Sequence, residues 1–484
     1  MKVVFVTLFK EEEFGGGEGR VAHELARHFA AHHDTVLMCP ADATGLSEAE
    51  HGLKVFGIRS AGERYVYFTA LSGRNVHRIF SFLDEFKPDV VHAHDPASLG
   101  LIAQVWARMY DVPFVYTAHV LPSKILDFGA VEVARILKSA LTESMAKQGL
   151  SNFYENCDAV IALNRRCMDS IREFGYDGEV VIIHNGRDLS KYGACRTADI
   201  SSPERVLSFV GHITRRKNQR YLIEALRYLP EHYTLQIVGE ALDPACEREL
   251  KDLAAQYGLD NVVFCGQVPH SAVPAYLEKT HVFVSASKME VQSLVVIEAL
   301  ASGTPVVGLS NETIDELVDD GVGRRLSKDT DPEQFARCVQ EICDASRAEY
   351  DCLCRNARDR VKGLDYSNVV ADTAAAYESL LRERSAAAVA KTERTARLRQ
   401  TISLMPPGEV RDFLMEQVAL LERTIQETIR RDPGLSLASR IRKARRVPGS
   451  SWFYVALTIV VSLIGYLFLR QVNTASRARK ARAL

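Results

Sequence analysis

The chain has 484 residues, of which 25% are charged and 47% hydrophobic, and its formal net charge is −2 at pH 7. This length suggests about three domains with large apolar cores. The near-neutral balance gives no reason to expect nucleic acid as a partner, although Lys and Arg exceed Asp and Glu by 11 from Glu383 onward. Ten cysteines without secreted-framework spacing, and an N-terminus without a signal-peptide cleavage site, predict reduced thiols in the cytosol.

The first half of the chain alternates apolar strands with helices. A glycine run, Gly15–Gly17, opens an amphipathic helix with Val21, Leu25 and Phe29 on one face. Strand, glycine loop, helix and strand are typical of a nucleotide-binding α/β domain, but the GxGxxG spacing is missing. The glycines therefore form either a loop that a ligand approaches or a tight turn without a ligand. Strands are predicted at 2–8, 35–39, 88–95, 112–119, 159–163 and 180–186.

Polar residues end two of these strands. Asp95 and His119 lie where open α/β sheets bind ligands, at the carboxyl ends of strands. His92 and His94 alternate with an alanine and point to one side of their strand; without a third ligand, a structural role is favoured over a metal site. Residues 120–150 then form either an acceptor or membrane-contacting surface or a lid or core helix pair.

The second half repeats the alternation and predicts a second doubly wound parallel sheet. Three adjacent cations, Arg215, Arg216 and Lys217, lie between a strand and a helix, where they either face a diphosphate or are solvated. Two such domains in tandem would bind a ligand in the cleft between their carboxyl-end faces. Strands are predicted at 206–210, 235–239, 262–268, 282–287 and 305–310.

The stretch 282–308 reads as strand, loop, helix, turn and strand, and it carries two acids, Glu290 and Glu298. A helix starting near Gln292 would offer a phosphate the amides of three residues. Glu298, nearly two turns further, would accept from a ribose diol, and Glu290 would face a sugar. The pattern thus indicates a nucleotide sugar; the alternative is an ordinary βαβ unit with solvated glutamates. The three amides belong to Ser293, Leu294 and Val295.

The tail is basic and helix-prone. Leu414, Val418, Leu421 and Ile425 form an apolar stripe that predicts packing on a neighbouring helix. Residues 452–469 are eighteen uncharged residues between basic runs, which predicts one transmembrane helix next to anionic lipid head groups.

In combination, these motifs resemble the retaining GT-B glycosyltransferases of family four, which include phosphatidylinositol mannosyltransferases and diacylglycerol glucosyltransferases. The resemblance covers about residues 2–380 and implies sugar transfer from a nucleotide-diphosphate sugar to a hydroxyl. It implies His119 and Glu290 as catalytic residues beside the transferred sugar, without a cofactor or an essential metal ion. The implied donor-binding residues are Gly16, Gly17, Arg216, Lys217, Ser293, Leu294, Val295 and Glu298.

Three positions depart from the family pattern. His212 replaces the arginine that usually follows the strand-end glycine, so phosphate neutralisation would rest on Lys217 with help from a neighbouring arginine. Ser293 replaces a glycine between the two acids. Arg187 follows the Asn185–Gly186 turn where an apolar residue is usual, and the sequence alone does not explain it.

We therefore expect an α/β protein with two tandem Rossmann-like doubly wound domains (GT-B), a C-terminal helical extension and one transmembrane helix. The expected function is sugar transfer to a membrane lipid by catalytic domains on the cytoplasmic side of the cell membrane. A soluble or polyprenyl-linked glycan acceptor, a sugar-nucleotide isomerase or hydrolase, and a catalytically silent scaffold are the alternatives. The expected domains are 1–190 for the acceptor, 191–365 for the nucleotide sugar, 366–448 as helical crossover and extension, and 449–484 as transmembrane helix and basic tail.

Overall fold

The computed structural model divides the chain into two compact units. Unit 1 combines the described residues of Met1–Ile183 and Val370–Leu484, and unit 2 is His184–Val369. The domain boundaries expected from the sequence stay predictions. The structure describes residues 1–10, 16–63, 66–69, 72–96, 98–110, 112–122, 140–192, 198–242, 244–384, 398–403, 408 and 410–419.

The central strands of unit 1 are apolar and buried along almost their whole length, as is typical of parallel sheets. Its strands are β1 (Lys2–Val6), β2 (Asp34–Ala41), β3 (Gly45–Glu48), β4 (Lys54–Arg59), β5 (Ala61–Glu63), β6 (Val66–Phe68), β7 (Val90–Ala93), β8 (Phe114–Ala118), β9 (Ala159–Ala162) and β10 (Glu179–Ile182). Its helices are α1 (Gly16–Ala30), α2 (Gly73–Phe86), α3 (Ser98–Tyr110), α4 (Ala140–Glu155) and α5 (Arg165–Glu173).

Within the described residues of unit 1, eight strands form one sheet in the order β10-β9-β8-β7-β1-β2-β4-β3. All of its pairs are parallel except β3 with β4. Strands β5 and β6 form a separate antiparallel pair. The strands between 45 and 68 were not predicted from the sequence, because they are short or lack a long apolar run.

Unit 2 contains the second parallel sheet, in the order β13-β12-β11-β14-β15-β16. Its strands are β11 (Arg205–Val210), β12 (Tyr233–Val238), β13 (Val262–Gly266), β14 (Val282–Ser285), β15 (Val306–Leu309) and β16 (Gly323–Leu326). Its helices are α6 (Gln219–Leu226), α7 (Pro244–Gln256), α8 (Val273–Glu278), α9 (Leu294–Ala301), α10 (Glu312–Leu317), α11 (Pro332–Cys343) and α12 (Arg347–Val361), and α13 (Tyr366–Arg384) continues from unit 2 into unit 1.

Alternate residues of the strands in the middle of the unit 2 sheet enter two separate cores. In β14, Val282 and Val284 pack with α6, α7 and α11, whereas Phe283 packs with α8 and α9. The period of two along the strand explains this division, because successive side chains point to opposite faces of a sheet. The two-domain α/β fold with parallel sheets that the sequence predicts is therefore confirmed.

The prediction that the fold includes a transmembrane helix is wrong for the fold described here. In the described ranges, no helix is both long enough and apolar enough to cross a bilayer. Helix α13, the longest helix of those ranges, has 19 residues and five charges, too many for a bilayer span. The segment behind the prediction, 452–469, lies outside the described residues.

The apolar stripe of the tail is partly visible. Leu414 and Val418 are buried, and the neighbouring Phe413 makes an edge contact with Phe80 of α2, with ring centroids 6.1 Å apart. The other two stripe residues, Leu421 and Ile425, lie outside the described residues. Most of the predicted surface segment at 120–150 does so too, because 123–139 are not described.

Candidate functional site

The loops after β11 and β14 meet at one edge of the unit 2 sheet. These strands are parallel neighbours, so their carboxyl ends lie side by side. The chain passes from β11 to β12 and β13 on one side and resumes with β14 on the other, and open α/β sheets bind ligands at such a reversal of strand order. Gly211 follows β11 with a φ of 142°, a backbone conformation that favours glycine and turns the chain into the loop.

Two cations of the first loop contact the first acid of the second loop. Lys217 Nζ lies 2.5 Å from Glu290 Oε1, and Arg216 Nη1 lies 3.5 Å from Glu290 Oε2. Arg216 also joins the loops through its backbone oxygen, which accepts from the Lys288 amide at 3.0 Å, and through Nη1, which donates to the Met289 oxygen at 2.7 Å. The predicted diphosphate cations and the predicted sugar-binding acid therefore form one cluster.

The electrostatic balance of this cluster keeps Glu290 charged. Burial by itself raises the pKa of Glu290, but the charges of Lys217 and Arg216, with hydrogen bonds from Lys217 and Ser287, bring that pKa below its usual value. Arg215 does not take part: its side chain is 75% exposed and pairs with Glu249 on the surface. The cluster thus holds two cations on a buried carboxylate, an arrangement in which a diphosphate can replace the carboxylate as their partner.

His212, at the position where the family pattern has arginine, adds no positive charge. Burial and then the charge of Lys217 lower the pKa of His212, with a smaller contribution from Arg216. Its backbone oxygen accepts from Gln219 Nε2 at 2.9 Å. Neutralisation of a phosphate in this loop therefore rests on Lys217 and Arg216.

Helix α9 begins later than the sequence analysis expected. Ser293 has extended backbone angles (φ −80°, ψ 111°) and stands before the helix, and its amide donates to Thr313 Oγ1 at 2.8 Å. A phosphate that accepts from the Ser293 amide would therefore have to replace this hydrogen bond. Leu294 and Val295 are the first helical residues, so their amides have no acceptor within the helix.

The second acid, Glu298, lies inside α9 with 0% of its surface exposed. Arg187 Nε lies 3.0 Å from Glu298 Oε1, and His270 Nε2 lies 2.9 Å from the same oxygen. The Arg187 side chain is itself only 2% exposed. Sequence reasoning noticed Arg187 as a departure but not its partner, because the two residues are far apart along the chain. It missed His270, since a histidine in a short turn carries no pattern of its own.

The turn that carries Arg187 is fixed from two sides. The Asn185 amide donates to Gln292 Oε1 at 2.6 Å, and Gln292 Nε2 contacts His184 Nδ1 at 2.9 Å. Gly186 lies so close to Tyr366 that an added Cβ would come within 2.4 Å of the tyrosine ring. Sequence reasoning also missed Gln292, although it stands between the two predicted acids.

A group of histidines lies at the carboxyl ends of β7 and β8 in unit 1. His94 Nδ1 is 2.9 Å from His119 Nε2, and their rings stack with centroids 5.1 Å apart. His92 contacts Tyr377 Oη at 2.5 Å through Nδ1 and Thr117 Oγ1 at 2.7 Å through Nε2. These parallel neighbouring strands bring together residues that are 25 positions apart.

Burial keeps these histidines neutral. It lowers the pKa of His119 to about 3, and with the neighbouring His119 it lowers the pKa of His92 to about 3. Burial and the other histidines also lower the pKa of His94 well below its usual value. Among the described residues, no group of three or more His, Cys, Asp or Glu could hold a metal ion. The hydrogen-bonded histidines therefore serve each other as partners, and the expectation of a metal-free site stays a prediction.

The two predicted glycines of unit 1 lie in a helix rather than in a loop. Gly16 and Gly17 are the first residues of α1. Their predicted contact with a donor phosphate thus becomes a prediction about a helix N-terminus, and it stays untested.

The chain matches two protein-family models, "Glycosyltransferase Family 4" over residues 15–191 and "Glycosyl transferases group 1" over residues 196–360. It is 26% identical over 261 residues to the alpha-monoglucosyldiacylglycerol synthase of Streptococcus pneumoniae, a match that spans 51% of this chain and 57% of that enzyme. It is 27% identical over 395 residues to the glycogen synthase of Mycobacterium tuberculosis, a match that spans 75% of this chain and 91% of that enzyme.

One solved structure with a similar fold is Anabaena Alr3699/HepE in complex with UDP and glucose. The TM-score is 0.62 at 19% identity, and the match covers 78% of this chain and all of that one. At this identity the likeness concerns the fold.

Proposed function

Because this chain belongs to the GT-B glycosyltransferases of family four, we propose that it transfers a sugar from a nucleotide-diphosphate sugar to a hydroxyl of a membrane lipid, with retention at the anomeric carbon. The observation that carries the proposal is the cluster of Lys217 and Arg216 on Glu290, with Glu298 eight residues further in α9. These four side chains offer cations for a diphosphate and acids for the sugar and ribose hydroxyls.

Donor binding would give the two cations of this cluster a new partner. The diphosphate takes Lys217 and Arg216 from Glu290, and the released carboxylate faces the sugar. As the bond to the sugar breaks, negative charge grows on the leaving diphosphate, and the two cations and the first amides of α9 stabilise that charge. His119 is the proposed group beside the transferred sugar; as a neutral imidazole it can donate or accept a hydrogen bond without adding charge.

A UDP-sugar is the first donor to test, since the Anabaena structure of similar fold holds UDP and glucose. The lipid acceptor is supported by the relative named for a diacylglycerol product and by the basic excess after Glu383. We further propose that the catalytic units work on the cytoplasmic side of the membrane, where nucleotide sugars are made. A glycan acceptor is the second candidate, and the glycogen synthase that matches along most of its length favours it.

The test is a transfer assay with the full chain, labelled UDP-, GDP- and ADP-sugars and two acceptors, diacylglycerol vesicles and a soluble glucan. We expect label in the extracted lipid, and an α-linked product from an α-linked donor by NMR. Label in the glucan alone would favour the second candidate. Free labelled sugar without transfer to either acceptor would indicate a hydrolase, and no turnover with any donor would refute the proposed enzyme.

A further inference from the structure

Resting on the proposed function, we propose that Arg187 is a positioning residue that, together with His270, fixes the carboxylate of Glu298 for the ribose of the donor. Arg187 is the residue that departs from the pattern of the family at the Asn-Gly turn. Its guanidinium contacts the second acid, Glu298, rather than the first acid, Glu290.

The geometry of the contacts gives Arg187 this role. Arg187 Nε and His270 Nε2 both lie about one hydrogen-bond length from the same carboxylate oxygen, Oε1, at 3.0 and 2.9 Å. These two contacts on Oε1 restrict rotation of the carboxylate about its last bond and favour one direction for Oε2.

The backbone of Arg187 is fixed as firmly as its side chain. Its amide donates to the Leu364 oxygen at 2.8 Å, and its oxygen accepts from the Tyr366 amide at 3.1 Å. Residues 364–366 lead directly into α13. The guanidinium therefore projects from a turn that is tied on both sides, which is what a positioning residue requires.

His270 supplies the second contact from a different part of the chain. It follows β13 and Pro269 in a short 3-10 turn, and its side chain is 25% exposed, whereas Glu298 is fully buried. His270 thus links the segment that follows β13 to the acid that would accept from the ribose.

The pairing of Arg187 with Glu298 also reduces the negative charge that a donor meets. A lone buried carboxylate would repel the anionic diphosphate, but a carboxylate paired with a buried guanidinium presents almost no net charge. Glu298 can then accept from a neutral diol without opposing the phosphates that Lys217 and Arg216 attract.

The experiment compares two ligands that differ only in the ribose hydroxyls. Calorimetry measures the affinity of the full chain for the tightest of UDP, GDP and ADP and for its 2′,3′-dideoxy form. For Arg187→Met we expect both nucleotides to lose affinity because the uncompensated carboxylate repels the diphosphate, and the loss for the ribose nucleotide to exceed that for the dideoxy nucleotide by about tenfold or more. Arg187→Lys should recover part of the loss, and Arg337→Met, an exposed arginine paired with Glu333, is the matched control.

Equal losses for both nucleotides, or a loss for neither, would overturn the positioning role. If Arg187→Met does not fold, because Glu298 is left without its cation, the comparison moves to Arg187→Lys. In that variant, the difference in affinity between the ribose and the dideoxy nucleotide must be smaller than in the wild type. A difference equal to that of the wild type overturns the proposal. Failure of the wild type to bind any of the three nucleotides refutes the proposed function itself and leaves the pair with a structural role only.

Discussion

The two candidate sites of this chain control charge in opposite ways. In unit 2, the buried Glu290 stays charged because Lys217 and Arg216 lie against it and lower its pKa. In unit 1, the buried histidines are surrounded by neutral partners and by each other, so burial keeps them uncharged. The difference teaches that burial alone does not fix protonation, since the partner decides which form the buried group takes.

This comparison predicts its largest effect at Lys217. Replacing Lys217 with Met removes the closest partner of Glu290 and the cation best placed for a diphosphate, so we expect kcat/KM to fall by roughly a hundredfold or more. Steady-state kinetics with the nucleotide sugar measure the loss. Arg220→Met, an exposed arginine on α6 paired with Glu224, is the control that should keep full activity. Undiminished activity of the Lys217 variant would remove the basis for placing the diphosphate here.

The opposite protonation states predict different responses to acid. His92 and His119 have an ordinary pKa of 6.5 and a folded pKa of about 3, so their neutral forms stabilise the fold fully above 6.5. As pH falls from 6.5 towards 3, the unfolded chain takes up protons that the folded chain does not. The free energy of unfolding should then drop by about 1.4 kcal/mol per pH unit for each histidine. The pKa of Glu290 lies below 4.5, so the stabilisation that its charged form gives the fold is lost only at lower pH.

Denaturant titrations at pH 7.5 and 5.5, followed by the fluorescence of Trp106 in unit 1, test this difference. Trp452→Phe leaves Trp106 as the single reporter among the two tryptophans of the chain. An unfolding midpoint that does not move between these pH values would show that the histidines take up protons within the fold.

A smaller effect is expected at the tyrosine that faces the histidines. Tyr377→Phe removes the hydroxyl that lies 2.5 Å from His92 Nδ1 in a fully buried place. A buried group left without its partner costs about 1–3 kcal/mol, so the free energy of unfolding should fall by that amount. Tyr228→Phe, at a tyrosine that is 48% exposed, gives the reference for losing a hydroxyl to solvent. A loss no larger than this reference would mean that His92 finds another partner.

The smallest effect is expected at Arg216, next to Lys217 in the same loop. Its side chain is 37% exposed and 3.5 Å from Glu290, so solvent screens it more than Lys217. Arg216→Met should therefore weaken nucleotide-sugar binding by only about two- to fivefold. Binding measured in 50 mM and 500 mM salt should show that this difference shrinks as salt rises. A loss as large as that of the Lys217 variant would contradict the ranking.

The sequence by itself determined the two parallel sheets, because buried parallel strands appear as continuous apolar runs separated by helical segments. It also placed Glu290 and the cations of 216–217 in loops at the carboxyl ends of strands, since strand ends can be located from such runs. The strands between 45 and 68 escaped this reasoning because short or exposed strands leave no apolar run.

Only the tertiary structure decided which residues meet. The pairing of β11 with β14 brings Lys217 to Glu290, and the turn tied to residues 364–366 brings Arg187 to Glu298. The first residue of α9 was also decided there, because Thr313 from a later helix takes the Ser293 amide. Local sequence encodes the conformation of each segment, whereas partners in different elements are set by how sheets and helices pack.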